Sequence, residues 1–191
     1  MPNSMCFPGG GLDRSDEDKD WITFLKSKNI QYEQMILNPI DSNKYQKPFI
    51  FENHNPRNIH RDLSLRINAI RETFEEVGVV LCRDPLAIQS NQSSAISDYF
   101  HSKDCDIVEW QNNIHDHKET LLSFCEKFNV VPDLSRIFEW SVWLTPAAYN
   151  RRFESVFYTV LLENTPPIYP ESHEVQDFMV RHFISLYVLN F

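Results

Sequence analysis

The sequence predicts an α+β fold, and three observations carry that expectation. An apolar stripe runs at helical spacing through Leu63, Ile67, Ile70, Phe74 and Val77; two later runs, Ile137 to Leu144 and Phe153 to Leu162, are aromatic and β-branched; and no internal repeat links them. Helices inserted between sparse strands give an α+β assembly. The 191 residues suit a single domain able to bury roughly 70% of its unfolded surface. With 42% hydrophobic and 24% charged residues the composition is globular, which excludes wholesale disorder. No window approaches the roughly 18 to 20 apolar residues of a membrane span.

The elements follow in chain order. Gly9, Gly10 and Gly11 stand together in a chain with only 4 glycines, marking a place where the backbone turns sharply or approaches a ligand closely. The acidic run Asp13 to Asp20 leads into Trp21, Ile22, Phe24 and Leu25, a short helix with acids in its favoured first turn. Residues 38–61, rich in Asn, Pro and Lys, read as a loop. From Asp62 the stripe predicts a four-turn helix, stopped by Gly78, and Val79 to Cys82 then reads as a short buried strand. Residues 89–97 are Ser, Asn and Gln-rich and read as a mobile stretch. A second helix is expected over about 104–128, with Ile107, Trp110, Ile114, Leu121, Cys125 and Phe128 on one face, before Val130-Val131-Pro132-Asp133 breaks it. The two strand runs flank a turn around Pro146, and Pro166-Pro167 with Pro170 ends regular structure.

Charge and cysteine usage bound the partners. A net charge of −9 and a pI near 5.2 argue against a nucleic-acid partner, because phosphate neutralisation by Lys and Arg supplies most of such affinity. An anionic substrate would need a metal ion or a local cluster of arginines. Cys6, Cys82, Cys105 and Cys125 are widely spaced and no secretory leader precedes them, so the expectation is an intracellular protein with reduced thiols acting as small core hydrophobes. The C-terminal Val188-Leu189-Asn190-Phe191 matches no address signal.

On a helical wheel measured from Ile70, Glu75, Glu72 and Glu76 fall near about 140°, 200° and 240°, opposite the apolar stripe. Such a face is ordinarily solvated. Yet Glu72 is i,i+3 from Glu75 and i,i+4 from Glu76, spacings at which like charges repel, and Arg71 alone is close enough in sequence to offset them. Clustered carboxylates short of basic partners are what a hard divalent cation requires, so a solvated face and a metal site both stand as readings.

Arg71-Glu72-Thr73-Phe74-Glu75-Glu76-Val77-Gly78-Val79 resembles the second half of the Nudix box, R-E-U-x-E-E-x-G-U, with Thr73 at the first bulky position as the one departure. Phe7-Pro8-Gly9-Gly10 resembles the loop that opens the box, and the acid expected six residues after Gly10 is Asp16 in place of Glu. The box is thus split by an insertion at about 17–62, as in the coenzyme A diphosphatase branch of the Nudix superfamily, the nucleoside diphosphate-linked moiety X motif nineteen type. Met1-Pro2-Asn3, Asp20-Trp21, Trp140, Trp143-Leu144-Thr145-Pro146, Arg151-Arg152-Phe153-Glu154, Pro166-Pro167 and Glu174-Val175 fit the same branch.

The resemblance implies a single Nudix-like domain over 1–191, an α/β/α sandwich with helical insertions, one of them at about 99–135. It also implies truncation at both ends relative to that branch, and hence an incomplete sheet. The implied activity is metal-dependent cleavage of the diphosphate of coenzyme A or acyl-CoA, giving 3′,5′-ADP and 4′-phosphopantetheine or its acyl form. Alternatives are another nucleoside diphosphate such as ADP-ribose, or an inactive binding module. Glu72, Glu75 and Glu76 would hold Mg²⁺ or Mn²⁺, with Glu72 either a ligand or the general base. Arg71 would orient a glutamate, and Gly9 and Gly10 would shape the loop near the diphosphate. Arg151 and Arg152 point to opposite faces of a strand, so at most one meets the substrate, and Arg152 is the one assigned. The partner is a small nucleoside diphosphate compound, with no nucleic acid and no membrane; a peroxisomal location is implied by the resemblance alone. His115 and His117 lie about 200° apart on a helix and read as surface residues. Trp140 and Trp143 read as core in preference to an adenine platform.

Overall fold

A computed structural model describes residues 7–32, 48–52, 55, 57–90 and 95–171. Met1-Pro2-Asn3, Cys6, most of the 38–61 loop, Glu174-Val175 and the tail from Met179 lie outside the described residues.

After the glycines, a 3-10 turn over Arg14–Glu17 is closed by a capping box, with the Asp13 side chain accepting from the Ser15 amide and Asp16 accepting from the Asp13 amide. Helix α1, Asp20–Ser27, buries Trp21, Phe24 and Leu25, and the Trp21 indole N–H donates to the Ser15 carbonyl at 2.8 Å. Burial thus fixes the acidic turn against the core. A second 3-10 turn, Phe49–Phe51, falls inside the expected loop. The Ile59 amide then donates to the Glu17 carbonyl and Arg61 pairs with the Glu17 carboxylate at 2.8 Å, so the two ends of the 17–62 stretch meet.

Helix α2, Arg61–Val77, is the predicted four-turn helix, and Gly78 stops it at φ 71 in the left-handed region. A Cβ on Gly78 would come within 2.9 Å of the Tyr169 Cβ, a second reason for glycine there. The helix is enclosed on nearly every side: between Asp62 and Val77 only Glu72 and Glu76 keep partial exposure. The carboxylate face is therefore not a freely solvated one.

The strand expected over Val79 to Cys82 shortens to β1, Cys82–Arg83, paired antiparallel with β3, Val131–Pro132. The polar 89–97 stretch holds the end of helix α3, Pro85–Ser90, and strand β2, Ile96–Ser97. The helix expected over 104–128 is two: α4, Ile107–His115, and α5, Leu121–Phe128. His117 adopts φ 55, and Thr120 with Ser123 forms a reciprocal capping box that starts α5 afresh. Strands β4, Ile137–Leu144, and β5, Glu154–Leu162, match the two late runs and form a sheet in the order β2-β5-β4. β2 joins β5 in parallel; β4 pairs antiparallel, with a bulge between Glu139 and Ser141. Both sheets are small and open, so the fold is the α+β arrangement expected, with an incomplete sheet.

The core is aromatic on one side of α2, where Phe74, Phe100, Trp110 and Phe128 all contact the Phe124 ring at centroid distances of 4.7 to 5.3 Å. Elsewhere Val156, Tyr158 and Val160 of β5 face inward, with Arg66 over the Tyr158 ring. Arg66 also binds Asp62 and donates to the Leu134 and Ile137 carbonyls, tying α2 to the start of β4. Cys82 and Cys125 are buried as small hydrophobes and Cys105 is half-buried. Trp140 and Trp143 depart from expectation: at 66% and 67% exposed, neither belongs to the core.

Candidate functional site

The site is built around one guanidinium. Arg71, on the third turn of α2, donates from Nε to both Asp16 oxygens at 3.1 and 3.2 Å, from Nη1 to Glu75 Oε1 at 2.7 Å, and from Nη2 to Glu72 Oε1 at 2.7 Å and the Gly11 carbonyl at 3.1 Å. Helical spacing brings Glu75 one turn from Arg71; the 3-10 turn brings Asp16 from 55 residues away. Asn68, one turn before Arg71, donates to Asp16 and to the Gly11 carbonyl, so the glycine loop is held at two points on the helix. Glu76 points the other way and accepts from the Gly9 amide at 2.8 Å. Gly10 lies so close that a Cβ there would sit 2.5 Å from Glu72 Oε1 and 2.7 Å from its carboxyl carbon.

The electrostatics show how loaded this patch is. Burial pushes the Asp16 carboxyl above its ordinary value despite the pull of Arg71 and the hydrogen bonds from Asn68 and the Asp13 amide. Glu72 is also raised, by burial first and by the Glu75 charge, with Arg71 acting against both. Burial works against the charge of Arg71, but Asp16, then Glu72 and Glu75, more than reverse it and hold the guanidinium above its ordinary value. Three carboxylates, Asp16, Glu72 and Glu75, therefore gather round a single arginine, and a fourth, Glu76, is held by the glycine loop.

Of the residues singled out in the sequence, the structure brings Arg71, Glu72, Glu75, Glu76, Gly9, Gly10 and Asp16 together. Arg152 is not among them: it lies in the β4–β5 connection, where its Nε donates to the Thr145 carbonyl at 3.0 Å. His115 is exposed, as expected, and its Nδ1 lies 3.8 Å from the second Glu75 oxygen. Gln111, which sequence reasoning misses, is 3% exposed and donates from Nε2 to the Glu75 and Tyr169 carbonyls. It pins α4 to the carboxylate end of α2. A buried amide on an otherwise apolar helix face, between Ile107 and Ile114, is the available signal. A cavity of about 510 Å³ opens beyond the end of α2, lined by Gly78, Tyr99, Phe100 and Tyr169, but none of the four carboxylates lines it.

The donor set suits a hard divalent cation in chemistry and charge: all oxygen, more anionic than one arginine can neutralise, and approached by a glycine backbone that leaves room. The same engagement with Arg71 and Gly9 means that, among the described residues, no three acidic, His or Cys side chains converge on one point as they stand. Glu72, Glu75 and Glu76 are the side chains of this set that could hold one. No helix among the described residues is long and apolar enough to cross a membrane.

The profile of the NUDT19 Nudix domain matches residues 1–184. The acyl-coenzyme A diphosphatase NUDT19 of Homo sapiens is 28% identical over 185 residues, covering 92% of this chain and 48% of that protein. Its Xenopus laevis counterpart is 27% identical, covering 93% and 48%, and that of Gallus gallus 27%, covering 87% and 46%. The chain thus spans about half the length of these curated relatives. No solved structure matches it.

Proposed function

This chain belongs to the NUDT19 Nudix domain family, and on that premise we propose that it hydrolyses the diphosphate linkage of coenzyme A or acyl-CoA, releasing 3′,5′-ADP and 4′-phosphopantetheine or its acyl form. The observation that carries the reading is the gathering of Asp16, Glu72 and Glu75 on Arg71, on the helix that bears the Nudix pattern, with Glu76 of the same helix held by the glycine loop. The names of the relatives, acyl-coenzyme A diphosphatases, support the substrate class. In this reading the stretches at about 17–62 and 99–135 are insertions into one Nudix domain.

Glu72, Glu75 and Glu76 would hold Mg²⁺ or Mn²⁺. Such an ion supplies Lewis acidity toward a phosphoryl oxygen and lowers the pKa of bound water. The chain's own residues do the positioning. Arg71 fixes one oxygen each of Glu72 and Glu75, and His115 Nδ1 lies 3.8 Å from the second Glu75 oxygen. Asp16 and Asn68 lock the guanidinium and the Gly11 carbonyl in place, and the Gly9 amide orients Glu76. Gly10 lets the backbone pass against Glu72, so a diphosphate on this loop lies beside the carboxylates, where catalysis of phosphate chemistry is largely positioning and electrostatics. The test is direct: purified chain incubated with coenzyme A and Mg²⁺ yields 3′,5′-ADP, and chelation of the metal abolishes the product. Folded chain that releases none from coenzyme A overturns the substrate assignment; release of AMP from ADP-ribose alone would replace it.

A further inference from the structure

We propose that the exposed aromatic face of the β4–β5 hairpin, centred on Trp143 and Phe157, is the platform on which the nucleobase of the substrate stacks. The inference rests on the reading of the chain as a nucleoside diphosphate hydrolase and assigns the base half of that substrate to a surface of its own.

The register puts the two rings on one face. Trp143 lies opposite Ser155 and Ser141 opposite Phe157, so Trp143 and Phe157 are diagonal neighbours, with ring centroids 5.4 Å apart. The other face of β5 carries Val156, Tyr158 and Val160 into the core, so this face looks outward. An indole 67% exposed offers a flat apolar surface beside a half-buried phenyl ring, the geometry on which a planar heterocycle stacks.

Position connects this face to the carboxylates. Phe7 meets Phe157 edge-on at 6.4 Å. Two residues later the Gly9 amide grips Glu76, and Gly10 lies against Glu72. Two residues of extended chain span at most about 7 Å, so the aromatic face and the carboxylate cluster flank one short loop.

Charge points the same way. Arg151 and Arg152, in the turn of this hairpin, make no ion pair among the described residues; Arg151 rests on the Phe153 ring and Arg152 donates to the Thr145 carbonyl. In a chain of net charge −9, two unneutralised guanidiniums beside exposed aromatic rings suit a ligand that is at once planar and anionic, which a nucleotide is and an acyl chain is not. Trp140 supplies the internal control. It is exposed to the same degree but sits at the β-bulge, outside the Phe7–Phe157–Trp143 contacts.

The experiment compares Trp143→Ala, Trp143→Phe and Trp140→Ala in steady-state hydrolysis of coenzyme A and in calorimetric binding of 3′,5′-ADP. Stacking on a single aromatic side chain gives an expected rise of about fivefold or more in KM for Trp143→Ala with kcat unchanged, and the same factor in the Kd for 3′,5′-ADP. Trp143→Phe restores most of the loss, and Trp140→Ala matches wild type in both assays. Absence of 3′,5′-ADP binding by the wild type, equal losses in the Trp140 and Trp143 variants, or a loss that follows acyl-chain length would each overturn the platform. So would a change of oligomeric state in Trp143→Ala with nucleotide affinity intact, which would give the face to a second copy of the chain. If 3′,5′-ADP binding depends on Trp143 but no substrate is hydrolysed, the platform stands and the hydrolase reading fails. If coenzyme A is hydrolysed but nucleotide binding is indifferent to Trp143, the hydrolase reading stands and the platform fails.

Discussion

Arg71→Met removes the guanidinium and keeps a long apolar stem in its place. It deletes the contacts to Asp16, Glu72, Glu75 and the Gly11 carbonyl, and leaves Asp16, 1% exposed, with no cation on it. Removing one partner of a buried ion pair costs about 3–5 kcal/mol, because the remaining charge is stranded. Three carboxylates share this arginine, which places the expected loss toward the upper end of that range, about 4–5 kcal/mol, against a total stability of about 5–15 kcal/mol. For a chain of this size 1 kcal/mol moves Tm by roughly 2–4 °C, so the midpoint should fall by about 8–20 °C. Urea unfolding followed by near-UV circular dichroism measures the loss directly.

The same variant carries a pH signature. Asp16 and Glu72 both stand above their ordinary values of 3.8 and 4.5 in the folded chain, chiefly through burial. A carboxyl raised on folding contributes stability that is complete below its unfolded pKa and is lost as pH rises through the folded one. Arg71 pulls both groups down, so its removal raises them further and lets the folded variant take up protons that the wild type does not. The deficit of Arg71→Met should therefore be largest at neutral pH and shrink as pH falls toward about 5. A loss under about 1 kcal/mol, or a deficit that grows on acidification, refutes the picture of one arginine holding buried, under-compensated carboxylates.

Two further predictions test the glycines. Gly10→Ala places a Cβ 2.5 Å from Glu72 Oε1 and forces that carboxylate off Arg71; kcat should fall about 100-fold, the scale of a 1 Å misplacement, with Tm nearly unchanged. Gly11→Ala, where nothing lies within 4 Å of the new Cβ, should match wild type in both, and equal losses at the two positions would contradict the assignment. Gly78→Ala combines a left-handed φ of 71 with a 2.9 Å approach to Tyr169, so it should lower stability by about 2 kcal/mol or more in urea unfolding.

Much of the molecule is legible in the sequence where a local pattern decides it. Helix α2 follows from its apolar stripe and its terminal glycine, β4 begins and ends where its aromatic run does, and β5 starts within one residue of its expected position. Periodicity reports which face of a helix is apolar but not what covers the opposite one. The glycine loop, the Arg14–Glu17 turn and α4 close over α2, so its carboxylates are crowded and partly buried instead of solvated. The break between α4 and α5 is hidden because the apolar face continues across it; the Thr120 to Ser123 capping pattern is present but is outweighed by that face. Trp140 and Trp143 look like core residues by type, and only the fold shows them outward, Trp143 by its pairing register and Trp140 at the β-bulge. Asp16 is visible as a departure from the Nudix pattern, yet its role depends on a contact across 55 residues that no local signal contains.

In the proposed reaction the charge of the α2 carboxylates, and not merely their packing, is what holds the cation. Glu76→Gln isolates it, because the amide keeps an oxygen to accept from the Gly9 N–H at the same place while losing the charge a divalent cation needs. Measured as 3′,5′-ADP released from coenzyme A in Mg²⁺, kcat should fall roughly 100-fold or more, since several kcal/mol of transition-state stabilisation depend on the ion, while Tm stays within about 2 °C of wild type. A Glu76→Gln chain that releases 3′,5′-ADP at the wild-type rate would contradict a role for that charge.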